Sequence, residues 1–272
     1  MTVADGTKLR AVVLDWAGTT IDFGSRAPAL VFVEVFRRSG VPIEIAEARG
    51  PMGKAKREHI AAILALPRVA EAWRQQFGCP PSDEDVERLY QEFLPLQKAT
   101  LARHSEVIPG VPGAVAACRE RGLKIGSSTG YTRDLMAVVV PLAEEGGYRP
   151  DAILCADDVP AGRPAPWMLF RAAEKLDVYP MRTIVKVDDT PVGIEAGRNA
   201  GTWTVGITRT GNALGLSPSE LDALPADELR RRLAEAAKQF TARGAHFVLE
   251  SVAELPGLLP EMERRLRAGE TP

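Results

Sequence analysis

The stretch Arg10-Ala-Val-Val-Leu-Asp15-Trp-Ala-Gly-Thr-Thr20 decides the fold. An apolar run that ends in an acid and passes into Gly and Thr reads as a buried strand with a polar residue at its carboxyl end. Working outward, β-rich runs recur at Leu123 to Ser127, Ala152 to Cys155, Thr183 to Val187 and Thr202 to Gly206. Each is followed by a turn signal and a plausible helix, the pattern of βα units around a parallel sheet. Ligands bind such sheets at the carboxyl ends of their strands. Polar residues stand at nearly all of those ends: Asp15, then Ser127, Ser128 and Thr129, then Arg163 after the third run, then Asp188 and Asp189.

One interval breaks the rhythm. Between Asp22 and about His104 no buried strand is evident, whereas Ala27 to Arg38, Lys54 to Leu66 and Asp83 to Leu101 read as helices. A structureless loop of that length is rare in a compact domain, so the interval is a helical insertion. Turn chemistry at Phe23-Gly24-Ser25 and Ile108-Pro-Gly-Val-Pro-Gly113 marks its hinges. The expected fold is α/β: a Rossmann-like parallel-sheet core over residues 1–21 and 105–272, with an inserted α-helical cap over 22–104. Towards the end, Thr210 to Gly215 reads as a loop, Pro225 to Phe240 as a charged amphipathic helix, and Val252 to Leu266 as a partly helical segment interrupted by Pro256 and Pro260.

Composition excludes several classes of function. With 272 residues, 34 Lys and Arg against 36 Asp and Glu, the net charge is −2 and the signs are interleaved. Nucleic-acid binding calls for a concentrated basic surface instead. No apolar stretch reaches the roughly 18 residues of a membrane span, and the first residues do not read as a secretory signal, so the expected location is cytoplasmic. Cys79, Cys118 and Cys155 are odd in number and lack CxxC spacing, which predicts ordinary thiols rather than a disulfide framework or a zinc site.

Asp15 after an apolar strand, Thr129-Gly130 after the next, a later basic residue and a late acidic pair resemble the haloacid dehalogenase superfamily of aspartate-nucleophile hydrolases and phosphotransferases. Phosphatases of that superfamily carry a general acid two residues after the nucleophile, where this chain has Ala17. A methyl group donates no proton, so the leaving group needs other help. The segment Pro51-Met-Gly-Lys-Ala-Lys-Arg-Glu-His59 supplies a candidate. On a helix Met52, Lys56 and His59 share a face and Lys54 points away. A lysine that condenses with a carbonyl forms an imine, an electron sink for a departing carbanion. Rival readings are a sugar-phosphate phosphatase or mutase, a metal-free dehalogenase, and a catalytically silent binder on the same fold.

These segments, with Gly126-Ser-Ser-Thr-Gly-Tyr-Thr-Arg133, Asp157-Asp-Val-Pro-Ala-Gly-Arg-Pro164 and Asp188-Asp-Thr190, resemble the phosphonoacetaldehyde hydrolase family over nearly the whole chain. The resemblance implies Asp15 as nucleophile and Mg²⁺ ligand, with the Ala17 carbonyl and Asp189 as further ligands. It implies Lys56 as the Schiff-base lysine, with His59 relaying protons and Met52 beside it. Thr129, Gly130 and Arg163 would bind the phosphonyl oxygens of a small phosphonate substrate, and the protein would be a homodimer joined through its caps. The family also tends to carry an acid four positions after the metal-binding Asp, where this chain has Gly193; Asp188 is the candidate to compensate. Lys54 and Arg57 are expected to depress the Lys56 pKa if close in space. Trp16 and Tyr131 are candidate pocket residues, and His104 and His246 read as structural.

Overall fold

The computed structural model describes residues 6–272. Six strands, β1 (Ala11–Leu14), β2 (Lys124–Ser128), β3 (Ala152–Leu154), β4 (Ile184–Asp188), β5 (Trp203–Ile207) and β6 (Phe247–Leu249), form one sheet in the order β3-β2-β1-β4-β5-β6. Every neighbouring pair is parallel. Parallel strands need covering on both faces, and β1 alternates accordingly. Val12 and Leu14 join a core that includes Val111 and Val115 of α6 (Val111–Glu120), Val139 of α7 (Arg133–Glu145) and Leu259 of α12 (Leu255–Arg267). Ala11 and Val13 face the opposite side, against Leu169 and Ala172 of α8 (Trp167–Lys175) and Ala196 of α9 (Pro191–Asn199).

The insertion folds as α1 (Arg26–Arg38), α2 (Ile45–Arg49), α3 (Lys56–Leu64), α4 (Pro67–Phe77) and α5 (Asp83–Leu101) around its own cluster, which includes Phe32, Phe36, Ile60, Trp73 and Phe93. α5 begins where its chemistry dictates. The Ser82 side chain accepts from the Asp85 N–H at 3.2 Å and the Asp85 carboxylate accepts from the Ser82 N–H at 3.0 Å, a reciprocal capping box.

Two expectations need correction, and three elements are additional. The helix predicted from Lys54 starts at Lys56, because Gly53 at φ 94° and the extended Ala55 keep the backbone out of the helical region; Met52 therefore lies in a turn ahead of the helix. α2 and α4 are additional helices, the second with only Val69 and Trp73 buried, too sparse an apolar face to stand out. β6 is a further strand whose three half-buried residues are too few to display a period. α12 is continuous through its prolines: Pro256 sits in the first turn, where a missing N–H costs nothing, and Pro260 lies inside it. The last long helix before it, α11 (Ala226–Ala242), follows expectation after the short α10 (Pro218–Asp222). Among the described residues no helix is long and apolar enough to cross a membrane. The cysteines are free, with burial raising the Cys118 thiol to about 11 and the Cys155 thiol to about 12.

Candidate active site

In-register pairing puts Leu14 opposite Ser127 of β2 and Val187 of β4, so the residues just beyond these strands emerge side by side. Because β2 lies on one side of β1 and β4 on the other, the chain diverges here, and a crevice opens at the carboxyl ends. Asp15 projects into it, its backbone N–H held by the Val187 carbonyl at 3.0 Å. A tight turn follows: the Trp16 carbonyl accepts from the N–H groups of Thr19, Thr20 and Ile21. Gly18 at φ 82° is required there twice over, since a Cβ would also collide with the Asp189 carboxyl.

Asp15, Asp188 and Asp189 offer carboxylate oxygens that all lie within 4.8 Å of one another, and all three residues are buried. Their environments differ. Asp188 Oδ2 accepts from Arg163 Nη1 at 2.8 Å and from Lys186 Nζ at 2.9 Å, while Oδ1 accepts from the Thr190 N–H at 3.0 Å and its hydroxyl at 2.6 Å. Burial opposes its ionisation, but Lys186 and Arg163 outweigh burial and lower its pKa. Asp15 shares Arg163 Nη1 at 2.8 Å, yet burial and the neighbouring Asp188 charge raise its pKa. Burial and the charges of Asp15 and Asp188 push Asp189 well above the usual carboxylate range, against hydrogen bonds from the Asn212 N–H at 2.7 Å and, at 3.5 Å, the Thr19 hydroxyl. Two carboxylates that resist ionising side by side are a site that a cation would relieve, and all-oxygen donors suit a hard divalent ion. Asp188 already takes four hydrogen bonds, two of them from cations, so the less engaged Asp15 and Asp189 are the better placed pair for such an ion.

Gly193 is explained by the same crowding. A Cβ at that position in the first turn of α9 would overlap the Asp188 carboxyl. An acid at 188 and a side chain at 193 compete for one space.

Arg163 spends Nη1 on two carboxylates, while its Nε is buried with no partner in the protein. A donor is thus left for an oxyanion. Thr129 and Gly130 complete this wall; a Cβ at Gly130 would stand 3.0 Å from the Lys54 carbonyl and 3.5 Å from Arg163 Nη2.

The insertion supplies the opposite wall. Lys56, at the first position of α3, is 5% exposed, and its Nζ lies 5.6 Å from the Phe32 ring centroid and 5.1 Å from that of Tyr131. Burial, then the charge of Arg163, lowers its pKa to about 7 despite the opposing pull of Asp15, Asp189 and Asp22. Arg163, rather than Lys54 or Arg57, is the strongest like charge acting on it, and Arg57 is turned outward to pair with Glu87 at 3.2 Å. Lys54 lines a separate groove, leaving Lys56 as the lysine of the crevice.

The crevice is therefore lined by Asp15, Ala17, Met52, Lys56, Thr129, Gly130, Arg163 and Asp189, every expected site residue except His59. His59 is fully buried behind it. Its Nε2 lies 2.8 Å from the Ala48 carbonyl, which can only accept, so the proton belongs on Nε2, and Nδ1 has no partner. The ring packs 3.9 Å from Phe32, and burial together with Lys56 drives its pKa well down. His59 thus stands neutral beneath the lysine, with no hydrogen bond to it. Tyr131 lines the crevice, whereas Trp16 packs edge-on against Tyr148 in the core. His246 takes a structural place, its Nδ1 accepting from the Thr204 N–H at 3.0 Å.

Ser25, Pro28, Gly53 and Thr190 also line the crevice, a place the sequence reading does not give them. Lys186 is a further omission: fully buried on β4 between Asp188 and Ser128, it reads in sequence as one exposed-type residue in an apolar run. The crevice is narrow and open on one side, with about 20 Å³ accessible to water.

Comparison with known proteins agrees with this geometry. Residues 9–201 match the family model of haloacid dehalogenase-like hydrolases. The chain is 48% identical over 264 residues to a phosphonoacetaldehyde hydrolase of Syntrophobacter fumaroxidans, covering 97% of this chain and 95% of that one. It is likewise 48% identical to a phosphonoacetaldehyde hydrolase of Paraburkholderia xenovorans, covering 97% and 99%. Among solved structures, a phosphonoacetaldehyde hydrolase-like protein from Oleispira antarctica superposes with a TM-score of 0.97 at 41% identity, covering 100% of this chain and 99% of that one.

Proposed function

The chain belongs to the haloacid dehalogenase-like hydrolases and, within them, to the phosphonoacetaldehyde hydrolase family, and from that premise we propose that it cleaves the carbon–phosphorus bond of phosphonoacetaldehyde to give acetaldehyde and phosphate. The observation that carries this reading is the pairing of Asp15 on the sheet with Lys56 on the insertion across one crevice, with Ala17 where an ester phosphatase would need its acid.

Lys56 would attack the aldehyde as the neutral amine and lose water to form an imine. A pKa near 7 leaves about half of it unprotonated at neutral pH. Once the imine is protonated, Asp15 attacks phosphorus. The C–P electron pair moves into the carbon–nitrogen system as an enamine, so no acid is needed at position 17. The Arg163 guanidinium and the Thr129-Gly130 segment would hold the phosphonyl oxygens through this step. Protonation of the enamine and hydrolysis of the imine release acetaldehyde and free Lys56. Water then cleaves the aspartyl phosphate. A Mg²⁺ ion held by Asp15, Asp189 and the Ala17 carbonyl would neutralise charge between anionic nucleophile and anionic substrate. His59, neutral and one helical turn beyond Lys56, would serve proton traffic only through its free Nδ1.

We read residues 22–104 as a cap that opens for entry and closes for chemistry, because Lys56 on the insertion and Asp15 on the sheet form opposite walls of one narrow crevice. The exposed Leu30 of α1 and Ile45 of α2 are apolar residues through which a cytoplasmic homodimer could join its caps. The test is borohydride reduction with phosphonoacetaldehyde followed by peptide mass spectrometry, alongside phosphate release. An adduct on Lys56, lost together with turnover in a folded Lys56→Ala variant, is expected; turnover without any adduct would overturn the imine route.

A further inference from the structure

Arg49, the last residue of α2, sits where the insertion, its hinge and the sheet meet. Its Nη1 donates to the Gly24 carbonyl at 3.0 Å, the Ser25 carbonyl at 3.4 Å and Asn212 Oδ1 at 3.0 Å, and its Nη2 to the Gly215 carbonyl at 2.9 Å. Asn212 returns the contact, Nδ2 donating to the Arg49 carbonyl at 3.3 Å. The backbone N–H of that same Asn212 donates to Asp189 Oδ2 at 2.7 Å. One guanidinium therefore spans the hinge, the insertion and the 211–215 loop that steadies an active-site carboxylate.

The surroundings leave this contact little slack. Gly215, at φ 66°, has no room for a Cβ beside the Arg49 guanidinium, and a Cβ at Gly211 would come within 2.5 Å of the Asp189 Cβ. The hinge is tied to the same loop, since the Gly24 N–H donates to the Thr210 carbonyl at 2.7 Å, and the Thr210 hydroxyl to the Gly18 carbonyl at 2.8 Å. Lysine could not replace the arginine, for an ammonium lacks the planar fork that meets acceptors on both the hinge and the 211–215 loop at once.

We infer that Arg49 and Asn212 are positioning residues that couple closure of the insertion to the placement of Asp189. The inference rests on reading the insertion as a cap. When the cap is down, Arg49 clamps the 211–215 loop and the Asn212 N–H is held on Asp189. When it lifts, the loop loses its clamp, and the carboxylate loses the shorter of its two donors, keeping only the Thr19 hydroxyl at 3.5 Å. Metal affinity and cap position then rise and fall together, by thermodynamic reciprocity.

The test uses Arg49→Lys, Asn212→Ala and the double variant in the full chain, each checked for folding by circular dichroism and melting. Readouts are amide exchange over residues 45–55 and 211–215, and Mg²⁺ affinity by calorimetry without substrate. Coupling predicts faster exchange in both segments together and Mg²⁺ bound about tenfold more weakly, the scale of losing one charge-assisted hydrogen bond. The double variant should be no worse than either single change, as for residues acting as one unit. Arg68→Ala, which removes an exposed ion pair of the same insertion with Glu47, should move neither readout. Faster exchange at 45–55 with Mg²⁺ affinity and the 211–215 loop unchanged would overturn the coupling, as would additive losses in the double variant or equal losses in Arg68→Ala. If Asn212→Ala does not fold, Arg49→Lys and Arg49→Gln carry the same readouts. A parent protein that releases no phosphate would sink the proposed reaction, whereas exchange and Mg²⁺ binding would still decide the coupling.

Discussion

Replacing Lys56 by methionine should abolish turnover and make the protein more stable. In the folded state burial lowers the lysine to about 7 from an ordinary value of 10.5. The folded protein thus binds fewer protons than the unfolded chain between those values, and its stability rises with pH across that window. Run in reverse, the lysine costs nothing above about pH 10.5, about 4 kcal/mol at pH 7 and about 5 kcal/mol below pH 6, where the cost levels off. These are upper bounds, because a crevice that opens lets water reach the amine. Methionine matches the lysine stem in length, carries no charge and packs well against the Phe32 and Tyr131 rings. Urea unfolding of both proteins at pH 6, 7, 8.5 and 10 measures the difference. The variant should lead by about 2–4 kcal/mol at pH 7, with the lead shrinking steadily towards pH 10. A variant less stable than the parent at pH 7, or a lead independent of pH, would show that Lys56 is not a desolvated amine and would remove the basis for its nucleophilicity.

Other outcomes follow from the same geometry. Phosphate release should stop in EDTA and return with Mg²⁺, and Mg²⁺ should raise the melting temperature more at pH 8 than at pH 5.5, because the raised pKa values of Asp15 and Asp189 let protons compete for the site. The parent should turn over p-nitrophenyl phosphate poorly, and Ala17→Asp should improve that ester hydrolysis, by up to the roughly 10²–10⁴-fold that a positioned general acid supplies; an efficient parent phosphatase would contradict the role given to Ala17. Gly193→Asp alone should destabilise the fold and impair phosphate release, since the new Cβ overlaps the Asp188 carboxyl. The double change Asp188→Gly with Gly193→Asp should recover stability relative to Gly193→Asp, as thermal melts would show.

The sheet side of the site is legible in the sequence because parallel-sheet topology turns position into function. Asp15, Thr129, Arg163 and Asp189 each follow an apolar run, and a residue at a strand end meets its counterparts whatever helix intervenes. Lys56 is legible for a different reason. Its place in the crevice does not come from sharing a helical face with Met52, which lies in the preceding turn; the resemblance selected it, and burial of both residues brings them to one wall. His59 keeps the helical phase expected of it, yet faces Phe32 and Ala48, because three residues along a helix turn a side chain past the edge of so narrow a crevice. Lys186 was invisible, since a charged residue in a strand normally argues for exposure and only the acid two positions later explains its burial. The Lys56 shift follows a similar rule: nearness in sequence points to Lys54 and Arg57, whereas the like charge that acts most on it, Arg163, is brought beside it by folding.

That last point bears on why the reactive groups are divided between two parts of the chain. Arg163 lowers the affinity of Lys56 for a proton while lying hydrogen-bonded to Asp15, so one cation adds to burial in favouring the neutral amine and works against burial in favouring the carboxylate anion. Both effects depend on the two walls being close and dry, because charges in water at such separations interact by only about 1 kcal/mol. With the cap lifted, Lys56 would regain solvent and its proton and become inert as a nucleophile. With the cap down and a phosphonate bound, its negative charge would draw on the same guanidinium and pull the lysine pKa back up, which favours the protonated imine after condensation has taken place. The pH at which free enzyme traps aldehyde should therefore lie below that at which the phosphate-loaded enzyme does so. Trapping rates of a simple aldehyde with and without inorganic phosphate measure that displacement, and a profile indifferent to phosphate would mean that Arg163 does not link the two halves of the site.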